Sequence, residues 1–147
     1  MVQRYKFKFE KILNLKHREE EQQEDKYLRL KQELDQIRDK IEVLEAEKQT
    51  AYTQMRDKAN KLDQILELRR YLKQIRNAQT ELKEQKVDRE AEAEKELQLL
   101  LEKKQERKTL EKLKENKEKT FRKELIKEEQ KELDELSINY SLGGSLS

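Results

Sequence analysis

The sequence predicts an all-α protein, two long helices folded into an antiparallel coiled-coil hairpin. Composition and spacing carry this reading. Charged residues make up 46% of the 147 residues and hydrophobic ones only 33%. Proline, cysteine and tryptophan are absent, and the only glycines are Gly143 and Gly144. Ala, Glu, Lys, Leu, Arg and Gln dominate, and all of them favour helix. A compact core needs more apolar side chains than this, whereas a seam between two helices needs far fewer. Low hydrophobicity also marks disordered chains, but those usually combine it with a large net charge. Here 35 basic and 33 acidic residues leave +2, and the apolar residues are regularly spaced. Periodicity is the stronger signal and decides for helix.

The first half carries a heptad. Tyr27, Leu30, Leu34, Ile37, Ile41, Leu44, Lys48, Ala51, Met55, Lys58, Leu62 and Ile65 follow one another in alternating steps of three and four. Only Lys48 and Lys58 break its apolar character. A period of 3.5 residues keeps one stripe against a partner helix and implies a left-handed supercoil. Ile65 to Leu68 is a second consecutive step of three, so the stripe changes register there. It then runs Leu68, Leu72, Ile75, Gln79, Leu82. Further on it is patchier: Val87, Ala91, Leu97, Leu100, Leu101, Leu110, Leu113, Phe121, Leu125, Leu133, Leu136.

A hairpin needs a turn, and neither glycine nor proline marks one. The best local candidate is Arg56-Asp57-Lys58-Ala59-Asn60-Lys61. Asp57 and Asn60 are weak helix formers, and Asn is the best residue after Gly for a left-handed cap. The expected domain is a single hairpin over 1–138, with arm one at about 4–56, the turn at about 56–62 and arm two at about 62–138. The second arm then overhangs the first near the N-terminus. The rival arrangement is an unbroken helix in a parallel dimer. Residues 139–147, ending in Gly-Gly-Ser, read as a flexible polar tail.

Several function classes fall away. Without cysteine there is no disulfide, thiolate metal site or cysteine nucleophile, and the composition suits a reducing cytoplasm. The N-terminal stretch has no apolar core of a signal peptide. The longest apolar run, Leu99-Leu100-Leu101, is far short of the ~20 residues that span a bilayer. The single histidine, His17, has chelating spacing with Glu21, but a specific metal site wants more ligands than that pair. Carboxylate pairs on a thin helical pair cannot be buried and tuned for acid–base work. The Gly-Gly-Ser ending lacks the following Lys-Ser or Lys-Thr of a phosphate loop. The expectation is no enzyme, no catalytic residue, no metal and no cofactor.

What remains is binding. Lys103–Lys123 holds ten basic and four acidic residues, net +6, and Glu124–Leu136 holds six acidic and two basic, net −4. The plain interpretation is a solvated face stitched by pairs such as Glu115–Lys119 and Glu118–Arg122. The functional one is docking on an acidic partner. Nucleic acid is disfavoured, because the basic block lacks stacking aromatics beyond Phe121 and the overall charge is near neutral. Among the few aromatics, Tyr5, Phe7 and Phe9 cluster at the start, and Tyr52 and Tyr71 lie near the expected turn. Tyr71, Ile75, Ala78 and Leu82 share one helical face beside the Leu68–Leu72–Ile75 stripe. Either both stripes form one wide seam, or one of them is an exposed binding strip.

Three stretches give the chain a family likeness. They are Tyr-Lys-Phe-Lys-Phe-Glu-Lys-Ile-Leu-Asn-Leu-Lys (5–16), Leu-Arg-Arg-Tyr-Leu-Lys-Gln-Ile (68–75), and Arg-Lys-Thr-Leu-Glu-Lys-Leu-Lys-Glu (107–115) followed by Lys-Glu-Glu-Gln-Lys-Glu-Leu-Asp-Glu-Leu (127–136). In order, spacing and length the chain resembles the flagellar type III export protein FliJ family, especially its Gram-positive members. The resemblance implies a two-helix antiparallel coiled coil similar to the central stalk of rotary ATP synthases. It implies binding to the hexameric ring of the flagellar export ATPase through the end holding both termini. Phe7, Phe9, Leu13, Lys103, Arg107, Leu110, Leu113 and Lys114 are the candidates there. It also implies contact with the cytoplasmic domain of the export gate, with Tyr52, Tyr71, Ile75, Ala78 and Leu82 as candidates. Leu82 departs from relatives that carry a polar residue, and the turn lacks the glycines often found there.

The resemblance implies a non-enzymatic component of flagellar protein secretion, and hence of motility and chemotaxis. Such a component is cytoplasmic, peripheral at the inner face of the membrane through its partners, and engages export chaperones. By itself the chain is expected to be a monomer. The other function classes are a coiled-coil holdase chaperone, which needs greasy exposed tips, and a passive spacer, which needs no unpaired apolar strip.

Overall fold

A computed structural model describes residues 4–57 and 61–145, with side chains as far as residue 141. Two helices account for nearly all of them: α1, Glu10–Asp57, and α2, Leu62–Ser145. There is no strand among the described residues. The two long helices pack against each other, as the heptad spacing predicts. Lys58, Ala59 and Asn60 of the expected turn lie outside the described residues.

No Ser, Thr, Asp or Asn caps the start of α1. Instead the backbone turns on itself: the Glu10 amide donates to the Phe7 carbonyl at 3.2 Å and the Leu13 amide to the Phe9 carbonyl at 2.9 Å. Glu10 in the first turn and Arg56 in the last both complement the helix dipole. At the start of α2 the Ile65 amide donates to the Lys61 carbonyl at 3.1 Å, and Asp63 supplies the acidic first turn.

The chain divides into two compact units. One is the segment 21–102, in which α1 and α2 run antiparallel. Partner numbers rise on one helix as they fall on the other: Gln23 meets Glu96, Glu33 meets Arg89, Glu45 meets Gln79, and Tyr52 meets Arg76. Leu34, Ile37, Ala51, Leu72, Ile75 and Ala93 are its buried apolar residues, and Gln23 and Gln79 are buried among them. Tyr27, Leu30, Ile41, Leu44, Lys48 and Met55 are half-buried at the remaining seam positions of α1. Leu62, assigned to the same stripe, is instead exposed. It opens α2, so it has no preceding turn to lie against.

On α2 the seam does not become patchy after Leu82. It continues in steps of three and four through Lys86, Arg89, Ala93, Glu96 and Leu100, all buried or half-buried. The apolar residues expected there, Val87, Ala91 and Leu101, are exposed. Periodicity of position is kept while its chemistry changes. Long Lys, Arg and Glu stems cover the groove and hold their charged ends in water.

The other unit comprises residues up to Glu20 and from Lys103 onward. Here too the helices are antiparallel: Glu10 meets Lys114 and Lys16 meets Glu106. Phe7 and Leu13 are buried, and Leu110, Leu113, Phe121 and Leu125 are half-buried. The Tyr5 and Phe121 rings stack at a tilt with centroids 5.5 Å apart. From Ile126 to Ser141 every side chain is exposed, including Leu133 and Leu136, which the sequence assigned to the stripe. The helix also runs on through Ser145, where a non-helical tail was expected from Asn139. Ser137 to Leu142 contains no helix breaker. The two glycines sit at the very end, where each costs only about 1 kcal/mol relative to Ala.

Candidate partner-binding surfaces

Near the end of α1 and the start of α2, two tyrosines bridge the helices. The Tyr71 hydroxyl donates to a Glu47 carboxylate oxygen at 3.2 Å. The Arg76 guanidinium donates to the Tyr52 hydroxyl. Partial burial, and then the Glu47 carboxylate, hold the Tyr71 hydroxyl above the usual phenol range. Tyr52, Gln49, Met55 and Arg56 line a shallow open groove on α1.

The expected strip of Tyr71, Ile75, Ala78 and Leu82 divides. Ile75 is only 3% exposed and belongs to the helix–helix core. Tyr71 is 41% exposed, and Ala78 and Leu82 are half-buried at the seam's edge. The outward surface is therefore Tyr71 with the rims of Ala78 and Leu82. The four stay on one face, within about 60° of arc, and Ile75 is the member nearest the buried Leu72 and Gln79, so it falls under the partner helix.

At the other candidate surface the basic residues singled out from sequence are tied into cross-helix pairs. Arg107 is shielded and binds Glu20 across the interface and Glu111 on its own helix. Its hydrogen bond to Glu20, then that to Glu111, raises an already high guanidinium pKa further. Lys114 donates to Glu10 at 3.0 Å, which raises its ammonium pKa. Lys103 lies 3.7 Å from Glu19. His17 Nε2 is 3.1 Å from Glu111, across the interface rather than toward Glu21. Leu13 is buried and Leu110 and Leu113 half-buried against α1, while Phe9 is exposed and stands edge-on to buried Phe7 at 5.8 Å.

The outward positive charge lies on other residues. Lys104, Lys108, Lys112, Lys117, Lys119 and Lys123 of the basic block are exposed. Residues 4–18 add six basic residues against one acidic, net +5. Within this unit the structure sets that stretch beside the +6 of Lys103–Lys123, a juxtaposition only the pairing of the helices reveals. The exposed apolar face of 126–141 was also missed, because its leucines were counted into the seam. The unequal lengths of the two arms are the sequence signal that pointed to it.

Among the described residues no cluster of three or more His, Cys, Asp or Glu is placed to hold a metal ion. No helix there is long and apolar enough to cross a membrane. Two long paired helices with charged seams and outward tyrosines define a class of protein built on helix–helix surfaces. The family model described as "Flagellar FliJ protein" matches residues 5–143, nearly the whole chain, and the chain belongs to that family. It is thereby a component of the flagellar export apparatus. No curated protein and no solved structure matches it.

Proposed function

We propose that the chain is the stalk of the flagellar export ATPase ring, coupling ATP hydrolysis to protein secretion through the export gate and taking no part in bond chemistry itself. The observation that carries this is the joining of two positive stretches, 4–18 and 103–123, in the unit that holds both chain ends. Clustered positive charge steers association with an acidic surface and sets its orientation. The ring's docking surface is reached by Lys104, Lys108, Lys112 and Phe9, with Lys103, Arg107 and Lys114 holding the helices in place beneath. The gate's cytoplasmic domain meets Tyr71 and Tyr52, large amphipathic side chains of the kind that anchor interfaces. In this reading the protein works at the cytoplasmic face of the membrane and touches it only through partners.

One observation favours a second reading, a holdase-like chaperone: Leu62 and Leu66 are exposed at the start of α2. The two are separated by adding the chain to its cognate ATPase and, in parallel, to an aggregating unfolded client. A stalk raises ATPase turnover at stoichiometric amounts and leaves aggregation unchanged. Unchanged turnover with suppressed aggregation would replace the stalk by the holdase.

A further inference from the structure

The side of α2 that turns away from Tyr71 carries positive charge without carboxylates to match it. Leu62, Leu66, Arg69, Lys73, Arg76 and Thr80 are all exposed. At about 100° per residue they fall within about 80° of arc, opposite Tyr71. From Leu68 to Thr80 the chain holds four basic residues and no acidic one. Asp63, Glu67 and Glu81, the acidic residues nearest in sequence, lie about 60° or more beyond the edge of this face. The first carboxylate on the face itself is Glu84, after Lys83.

Elsewhere in this unit cations reach carboxylates across the helix pair: Lys26 meets Glu96, Arg38 meets Glu90 and Arg89 meets Glu33. Among the described residues Arg69 and Lys73 take part in no ion pair, and the Arg76 guanidinium binds only the neutral Tyr52 hydroxyl. That bond joins the face to the open groove of Gln49, Tyr52, Met55 and Arg56 on α1. Arg56 adds a fourth cation that pairs with no carboxylate among the described residues. Glu45, one heptad before Tyr52 on the same side of α1, is already taken by Gln79 and Gln49. Leu62 and Leu66, 70% and 44% exposed, give the face an apolar end.

We propose that this flank docks an acidic amphipathic helix of a protein partner, laid along the groove beside Tyr52. Its occupant must bring carboxylates to Arg56, Arg69, Lys73 and Arg76 and apolar side chains to Leu62 and Leu66, and one face of a helix does both. Three of the four cations are Arg, whose forked donors take carboxylates bidentately. A lipid surface fits less well: Tyr52 and Met55 are half-buried in the groove, where a flat bilayer does not reach them. Nucleic acid wants free stacking rings, and Tyr52, the ring on this flank, is held by Arg76. The site is separate from Tyr71, the gate anchor proposed above, which faces the other way.

The test is fluorescence anisotropy of a labelled synthetic helix, Leu at its heptad positions and Glu on its flanks, titrated with the full chain at low and high salt. Binding should weaken as salt rises. Arg69→Gln with Lys73→Gln and Arg76→Gln should weaken it by about tenfold or more while helicity is retained, since Gln favours helix. Arg69→Glu with Lys73→Glu and Arg76→Glu should refuse the acidic helix and take a Lys-for-Glu helix better than wild type does, a gain that an unfolded variant would not show. Equal binding of a Gln-for-Glu helix overturns the proposal and leaves apolar capture by Leu62 and Leu66. Binding that survives the triple Gln variant overturns it too, and moves the contact to the basic end. So does no binding at all, and so does a chain that ignores the helix but pellets with phosphatidylglycerol vesicles through these three residues, which gives the face to lipid.

Discussion

Gln23 of α1 is buried and donates from Nε2 to the backbone carbonyl of Glu96 on α2 at 3.0 Å, and also to the Glu96 carboxylate. One amide thus ties side chain to main chain across the interface, which a slip of either helix would break. Gln79 reaches across in the other direction, donating to the Glu45 carboxylate at 2.9 Å. Buried polar contacts of this kind fix the register of paired helices. Gln23→Ala should lower stability by about 1–2 kcal/mol, because it removes the donor and leaves Glu96 poorly satisfied. Gln23→Leu should cost less and loosen register. Thermal melts, with spin-label distances between positions 41 and 80 of one molecule, read both effects. A Gln23→Ala melt equal to wild type would discount the layer.

Acid should loosen the helix pair through its bridging carboxylates. Glu96 is held below its ordinary value chiefly by the Gln23 hydrogen bond, Glu45 by those from Gln79 and Gln49, and Glu106 by Lys16. A lowered folded-state pKa means stability that is present above the unfolded value of about 4.3 and lost as pH falls through the folded one. Lys16 and Lys114 are raised by Glu106 and Glu10. Their contribution is full below the unfolded lysine value and is lost as pH rises through the raised one. Melting temperature should therefore be flat between mildly acidic and mildly alkaline pH and drop at both extremes. A steep change near neutrality would contradict this assignment.

Tyr71 and Ile75, four residues apart, should give opposite phenotypes. Ile75→Ala removes a core side chain and should cost about 2–4 kcal/mol of stability. Tyr71→Ala should cost about 1 kcal/mol or less in folding, since the ring is exposed and its bond to Glu47 is a surface one. If Tyr71 anchors the gate, the same change should lose gate binding and flagellar protein export. Melts and a binding assay on one sample separate the cases. A large melting drop in Tyr71→Ala with native binding at low temperature would end its role as an anchor.

Charge reversal discriminates docking from folding at the basic end. Lys104→Glu, Lys108→Glu and Lys112→Glu should slow association with the ATPase without changing the melt. The effect should shrink at high salt, as the Debye length falls to about 3 Å at 1 M. Arg107→Glu should instead depress melting itself, because it sets a third carboxylate against Glu20 and Glu111. Equal association rates for the triple variant and wild type at low salt would remove this surface from the proposal.

The sequence by itself determined that the chain is helical and which α1 positions face a partner. Helix propensity and a 3.5-residue period are local properties, and Leu34, Ile37 and Ala51 are buried as the period requires. Family membership was legible for the same reason, being a matter of order and spacing. Only the tertiary structure decided which α2 residues lie in the seam, because Lys86, Arg89, Glu96 and Arg107 occupy core positions with charged ends and cannot be recognised by hydrophobicity. It also decided that Ile75 is core and Tyr71 is surface, which depends on the rotation of one helix against the other. And it decided that α1 runs out before Ile126, so that leucines indistinguishable in sequence from seam residues stand in water. Which stripes are covered is set by the pairing of the two helices and their unequal lengths, and no local pattern encodes that pairing.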